Sequence, residues 1–431
     1  MGGVSRRERF EIYLGKLAEA LRHKDRREPL RAYCTGLLLP GERKSMEPMA
    51  ARLDPTRVQA RHQLLQNFVS QSAWDDEAVM LAARKYALPA MQEHGAIEAW
   101  MVDDTGYPKQ GKHSVGVARQ YCGMVGKTAN CQAAVTTSVA SDWASLPVAH
   151  RLYLPEKWAA DPERRKKAGV PEDLAFTKKW EIALAQITTL LAEEVPTGVV
   201  LADAVYGDAS GFREGLTALG LRYIVGICGT TSVWRPGEAP LPPAERSARG
   251  RPPKRVRRDE DHQPVAAKVL GMSLPMSAWS DVTWREGTQG GMTSRFARVR
   301  VRPGHRDYYR TEPRDEEWLL IEWPATEKEP TRYWLSTEPA DIDLAVLIRR
   351  AKLRWRIERD YEELKQELGF AHFEGRGWRG FHHHASLCIA AYAFLIAERA
   401  RLSPHATPRK SPVEAPPVPV GFRPRGSARP G

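Results

Sequence analysis

The chain has 431 residues, 65 Lys plus Arg against 53 Asp plus Glu, and a formal net charge of +12. Hydrophobic residues at 42% and charged residues at 27% exclude a wholly disordered chain, and the length predicts two or three folded units. The basic excess predicts a polyanionic partner and says nothing of fold. The longest apolar run, Ala385 to Ala397, falls short of the ~20 residues of a membrane span, so no spanning helix is expected. The opening MGGVSRRERFEIYLGKL lacks the apolar run of a secretory signal, and Arg6 stands where a myristoylation start wants Ser or Thr. Cys34, Cys122, Cys131, Cys228 and Cys388 form no CxxC pair, which argues against a disulfide scaffold and points to a reduced cytoplasm.

Residues 1–95 read as a helical N-terminal unit. Phe10, Tyr13, Leu14, Leu17 and Leu21 follow helical spacing, as do Val58, Leu64, Leu65, Phe68 and Val69, with Pro40-Gly41 and Asp54-Pro55 as punctuation. Its clusters, such as Arg6, Arg7, Arg22, Lys24, Arg26 and Arg27, suit either a solvated face or DNA contact. Over residues 96–228 short apolar runs alternate with one strong helix. Strands are predicted at Ala99–Val102, Gln132–Val139, Pro147–Leu154, Val199–Ala202 and Arg222–Ile227. The helix is predicted at Phe176–Glu194, where Trp180, Leu184, Ile187 and Leu191 share a face. Three strands, helix, strand, helix, strand predict a mixed sheet with flanking helices, an α/β fold.

Residues 229–340 read as a β-rich insertion. Seven Lys or Arg fall between Arg246 and Arg258, and strands are predicted at Phe296–Arg302, Trp318–Trp323 and Tyr333–Ser336. In RVRVR, Arg298, Arg300 and Arg302 share one strand face, which predicts a basic surface. Residues 341–402 complete the core with one long helix over 342–369 and another over 384–402. The tail, 403–431, has eight prolines and is expected to be disordered.

Three acids stand where an acid is locally anomalous: Asp103 ends AWMV, Asp203 ends VVLA, and Glu358 lies inside RWRIERDYEELK. A carboxylate at the carboxyl end of a buried strand suits a ligand in the sheet crevice better than it suits packing. Such acids call for a cationic partner, and hard divalent ions, above all Mg²⁺, meet that need. On a helical wheel Tyr361, Arg354, Lys365 and Glu358 form a polar stripe beside the apolar Leu353, Leu364, Ile357 and Leu368. An exposed face with an Arg354–Glu358 ion pair is the plain alternative.

DDTGYPKQGKHSVGVARQYCG from Asp103, VVLADAVYGD around Asp203 and LRWRIERDYEELKQELGF around Glu358 resemble, in order, the three motifs of bacterial insertion-sequence transposases of the DDE class. The resemblance covers about residues 10 to 400 and is strongest to the DDE superfamily endonuclease branch. It implies a ribonuclease-H-like catalytic core and Asp103, Asp203 and Glu358 as catalytic and metal-holding residues. Two Mg²⁺ ions, replaceable by Mn²⁺, would serve cleavage and strand transfer on double-stranded DNA by a homodimer in a bacterial, nucleoid-associated setting. The family's Tyr-Arg-Glu-Lys helix motif maps onto Arg354, Glu358 and Lys365, as DNA-binding or catalytic positions. Its tyrosine falls on Ala351, and Tyr361 on the same stripe is the partial replacement. For the first acid, Asp-x-Thr favours Asp103 with Thr105, leaving Asp104 on the other face. A plain nuclease and a DNA-binding protein without strand transfer are the alternative functions.

Gly106 to His113 nearly spells a P-loop, but His113 replaces its Ser or Thr, so Lys109, Lys112 and His113 read as basic groups near DNA, with a solvated hairpin as the plain alternative. Arg249 and Arg251, in Arg-Gly-Arg-Pro, resemble a minor-groove insert. His382, His383 and His384 are consecutive and cannot face one ion together, which predicts a structural role or a contact with the DNA backbone. Trp284, Trp318, Trp323 and Trp334 are expected mostly to pack.

Overall fold

The computed structural model describes residues 4–244, 253–287 and 290–402; Arg249, Arg251 and the proline-rich tail lie outside them. Five helices open the chain: α1 (Arg6–Ala20), α2 (Arg27–Leu38), α3 (Met46–Leu53), α4 (Val58–Gln66) and α5 (Asp76–Gln92). Ser5 starts α1 in a capping box with Glu8, and the Asp75 carboxyl caps α5. Next come β1 (Ala99–Pro108), β2 (Ala118–Cys122), β3 (Lys127–Ala140) and β4 (Ser145–Leu152). Short helices α6 (Glu156–Ala159) and α7 (Pro162–Ala168) lead to α8 (Lys179–Ala192) and β5 (Val199–Ala202). Then follow α9 (Ala204–Gly207), α10 (Ser210–Ala218) and β6 (Tyr223–Ile227). The middle region adds β7 (Ser232–Trp234), β8 (Val265–Ala266), α11 (Ala267–Ser273), β9 (Ser280–Gly287), β10 (Gly290–Pro303), β11 (Glu317–Trp323) and β12 (Arg332–Ser336). Helices α12 (Leu344–Lys352), α13 (Trp355–Gln366) and α14 (Trp378–Leu402) close the described chain.

Among the described residues twelve strands make one mixed sheet, ordered β2-β3-β1-β5-β6-β12-β11-β10-β7-β8, with β4 on β3 and β9 on β10. β1 is antiparallel to β3 and parallel to β5, and β5 is parallel to β6. The order β4-β3-β1-β5-β6 with these directions is compatible with a ribonuclease-H-like core, the mixed α/β sheet that the element pattern predicts. The strands of 229–340 lengthen that sheet, because β12 pairs antiparallel with β6.

Helix α14 is buried on nearly every turn, from Phe381 to Ala400, which fits a helix apolar all round. The N-terminal helices pack on it: the Tyr13 hydroxyl donates to Ala390 O at 2.7 Å.

The structure corrects several expected elements. β1 continues six residues past Val102, and β2 is a strand that the Gly- and Val-rich SVGVARQYCG had hidden. The single helix expected over 342–369 is two, broken at Leu353 and Arg354. There the N–H groups of Leu353, Arg356 and Ile357 bond carbonyls three residues back, tightening the turn and redirecting the chain. The helix expected from 384 begins at Trp378. The RVRVR arginines are not an open basic face. Arg298 donates to Ile342 O, Arg300 to Glu316 O and Arg302 to Arg314 O, and Arg298 and Arg300 stack over Trp318. Trp284 and Trp334 flank Lys352, and Trp323 meets Trp279 edge-on, so these tryptophans pack.

Candidate active site

The parallel register of β1 and β5 sets Val102 beside Ala202, so the residues that follow, Asp103 and Asp203, emerge at the same end of the sheet. Asp103 is still held in β1, opposite Thr136 of β3. Asp203 turns the chain into α9 as its cap, accepting from the Val205 N–H at 3.0 Å. That turn needs Gly207: a Cβ there would lie 1.8 Å from the Gly226 carbonyl oxygen on β6. Hence the run from Asp203 to Gly207 packs directly onto the neighbouring strand.

Arg354, at the helix break, faces the acids. Its Nη1 donates to Asp103 Oδ2 at 2.9 Å, and its Nη2 lies 3.6 Å from Glu358 Oε1. Burial pushes the Asp103 carboxyl up to about 7, the Arg354 charge opposes this, and Asp203 and Asp104 add to it. Burial likewise raises Asp203, again against Arg354. Burial works against the Arg354 charge itself, but Asp103, Asp203 and Glu358 outweigh it and raise its pKa.

The expected convergence of three carboxyls is met only by two. Glu358 is 68% exposed, and among the described residues no group of three His, Cys, Asp or Glu stands close enough to hold a metal ion. The Arg354 guanidinium stands between Asp103 and Glu358 and neutralises both. The donors still suit a hard cation. They are carboxylate oxygens, two of them buried where the parallel pairing of β1 and β5 ends, and the buried Tyr206 hydroxyl beside Asp104, Asp103 and Asp203 has no hydrogen-bond partner.

The adjacent Asp104 takes a different partner, Lys179 of α8, whose Nζ lies 2.6 Å from its Oδ2. Tyr361, expected beside DNA, is buried instead: its hydroxyl bonds Thr136 Oγ1, which donates to the Asp103 carbonyl at 3.3 Å. It braces the strand that carries the acid. Lys365 reaches over the Tyr107 and Tyr361 rings, and burial lowers its pKa. Lys109 is tied down, donating to Phe373 O at 2.6 Å, while Lys112 and His113 are exposed.

The three histidines are buried structural groups. Leu152 N–H donates to His382 Nε2, His383 sits between the Val69 and Trp74 carbonyls, and His384 lies between the Tyr33 hydroxyl and Gly369 O.

The sequence reading missed Lys179, Tyr206 and Asp360. Tyr206 lies in the motif that marked Asp203, so it was within reach. Asp360, two residues from Glu358, is buried with Ser145 Oγ at 2.7 Å and the Tyr392 hydroxyl at 3.0 Å, and so fixes the back of α13. An acid amid a charged helical run gives no sign of facing inward.

This strand order, with acids just past the paired stretch of two adjacent parallel strands, is compatible with the class of ribonuclease-H-like α/β proteins. A family model for DDE superfamily endonucleases matches residues 16–291. The chain belongs to that family; the match ends before α12, so Arg354 and Glu358 lie beyond it. The chain is also 31% identical over 164 residues to a protein named as the probable transposase for insertion sequence element IS701, from Microchaete diplosiphon. That match covers 38% of this chain and 40% of the relative's length. Among the described residues no helix is long and apolar enough to cross a membrane.

Proposed function

We propose that the chain is an insertion-sequence transposase, which binds the inverted ends of its element and catalyses cleavage and strand transfer by in-line phosphoryl transfer. The observation that carries this reading is the placing of Asp103 and Asp203 side by side where the parallel pairing of β1 and β5 ends, with Arg354 and Glu358 brought to them by the start of α13. Family membership and the insertion-sequence relative support it.

Asp103, Asp203 and Glu358 would hold two Mg²⁺ ions, or Mn²⁺ in their place. Bound there, the ions supply charge at the scissile phosphate and an activated water. Arg354 would present a planar fork to a phosphate oxygen, and its bond to Asp103 keeps that fork beside the two acids. Lys365 adds a second cation along the same helix, with Lys112 and His113 as outer contacts to duplex DNA. Arg249 and Arg251 belong to the same proposed interface. In the first step water attacks phosphorus, the P–O3′ bond breaks and the 3′ oxygen leaves as a hydroxyl. In the second that hydroxyl attacks a target phosphate and displaces another 3′ oxygen, with no covalent protein intermediate. Two chains pairing two ends would make a dimer of the DNA complex.

The test uses duplexes carrying the DNA that flanks the gene, with and without pre-cleaved 3′ ends. Asp203→Asn abolishes metal-dependent cleavage and joining and leaves duplex affinity within about twofold, since one base-independent charge is removed from a basic surface. Cleavage retained by that variant overturns the assignment, and wild-type cleavage with no joining reduces the activity to that of a nuclease.

A further inference from the structure

We propose that Tyr206 is a positioning residue of the acid site, whose buried hydroxyl is held in reserve to donate to a carboxylate that binds metal. The proposal rests on the transposase reading above and goes beyond its three acids. Tyr206 stands one turn after Asp203 in α9, and its backbone N–H donates to the Asp203 carbonyl at 3.2 Å. Its side chain is fully buried, with the ring 5.7 Å from that of Phe212 between centroids. Gly207 seats the same turn on β6, so backbone and ring are both held.

A buried hydroxyl ordinarily finds a partner, and one left without is costly. Tyr361, which reaches the acids from α13, bonds Thr136 Oγ1. Tyr206 bonds nothing among the described residues. Burial raises its pKa, and the charges of Asp104, Asp103 and Asp203 add to this, so all three acids are near neighbours. Each of them has another donor: Arg354 for Asp103, the Val205 N–H for Asp203 and Lys179 for Asp104. An O–H among three carboxylates and bonded to none is not explained by packing, since phenylalanine would fill the same space. A divalent ion between Asp103 and Asp203 explains it. Carboxylates that ligate a metal are fixed in turn by outer hydrogen bonds, and these set much of the affinity. Beside a cation the neutral hydroxyl meets no repulsion, whereas the Arg354 guanidinium does.

The test is Tyr206→Phe, which removes one oxygen and keeps the ring, compared with wild type and Asp203→Asn in the full chain without DNA. Mn²⁺ binding, followed by the loss of the free ion's paramagnetic resonance signal, weakens about 10–100-fold in Tyr206→Phe. Its melting temperature without metal is unchanged or slightly raised, because the variant loses an unsatisfied group and no bond. The rise in melting temperature that a fixed Mn²⁺ concentration gives to wild type shrinks in the variant. Cleavage of a duplex carrying the flanking DNA falls at low Mn²⁺ and recovers as Mn²⁺ is raised, a change in the metal requirement and not in the maximal rate. Unchanged Mn²⁺ affinity in Tyr206→Phe overturns the proposal, whatever the variant does to stability or cleavage. Wild type that binds Mn²⁺ no better than Asp203→Asn defeats the metal site of the transposase reading, and the role of the tyrosine with it.

Discussion

Asp103 and Asp203 were legible in sequence because a charge closing an apolar run has no use in packing. The partners that hold them were not, since they come from distant segments: Arg354 lies 251 residues from Asp103, and Lys179 lies 75 from Asp104. The wheel that placed Arg354 with Glu358 was right about the pair and silent on the acid it also meets. Tyr361 shows the limit of the same wheel, for it lies at the edge of the polar stripe and turns to the core to bond Thr136. Gly207 carries a sharper consequence. Its sequence neighbours say nothing of the Gly226 carbonyl beneath it, yet a methyl group there would meet that oxygen at 1.8 Å, and backbone cannot step aside as a flexible side chain can. Gly207→Ala should therefore lift α9 from β6 and cost about 3 kcal/mol, read by urea unfolding. Because the same turn carries Asp203, cleavage should fall more than stability alone explains at a temperature where the variant is folded.

At the scale of elements, the strands flanking the acids were readable because apolar runs of four to eight residues bounded by turn residues have few other uses. What failed was the join between elements. The single helix expected over 342–369 breaks because α12 and α13 serve different surfaces. α12 ends on Lys352, which is pulled inward to Glu322 of β11 with both Oε atoms at 2.6 Å, while α13 turns Arg354 to the acids. A lysine in a basic run predicts a solvated face, and only the tryptophans and Glu322 of the middle region reveal its burial. Lys352 and Glu322 are each 7% exposed at the side chain, so removing one leaves the other charge buried without its counter-ion. Lys352→Met alone should cost about 3–5 kcal/mol, whereas Lys352→Met with Glu322→Leu should recover most of it. A double variant no more stable than the single one would mean that the pair is not what ties α12 to the sheet.

The whole molecule is organised around α14, with the N-terminal helices on one side and the sheet on the other, and its histidines link the two. His384 is the clearest case. Protonated at Nε2 it donates to Gly369 O at 3.0 Å, and its bare Nδ1 accepts from the Tyr33 hydroxyl of α2 at 2.7 Å, so the neutral ring satisfies both neighbours. Burial pushes its pKa down to about 4, with the Gly369 carbonyl opposing and the charges of Lys109 and His372 assisting. The folded chain thus resists a proton that the unfolded chain accepts near 6.5. Between those two values the unfolded state binds more protons, so this group's contribution to stability is intact above about pH 6.5. It is then lost at about 1.4 kcal/mol per unit as pH falls toward 4. Buried carboxyls with raised pKa act in the opposite sense, so the total slope does not isolate the histidine. Comparison with His384→Gln does. The variant is the less stable at pH 7.5, where Tyr33 has lost its acceptor, but it has no proton to gain. Urea unfolding should show the gap between the two proteins closing by about 2–3 kcal/mol between pH 7.5 and 4.5. A gap that stays constant would mean that His384 titrates alike in the folded and unfolded chains and that the link between the layers is pH-independent.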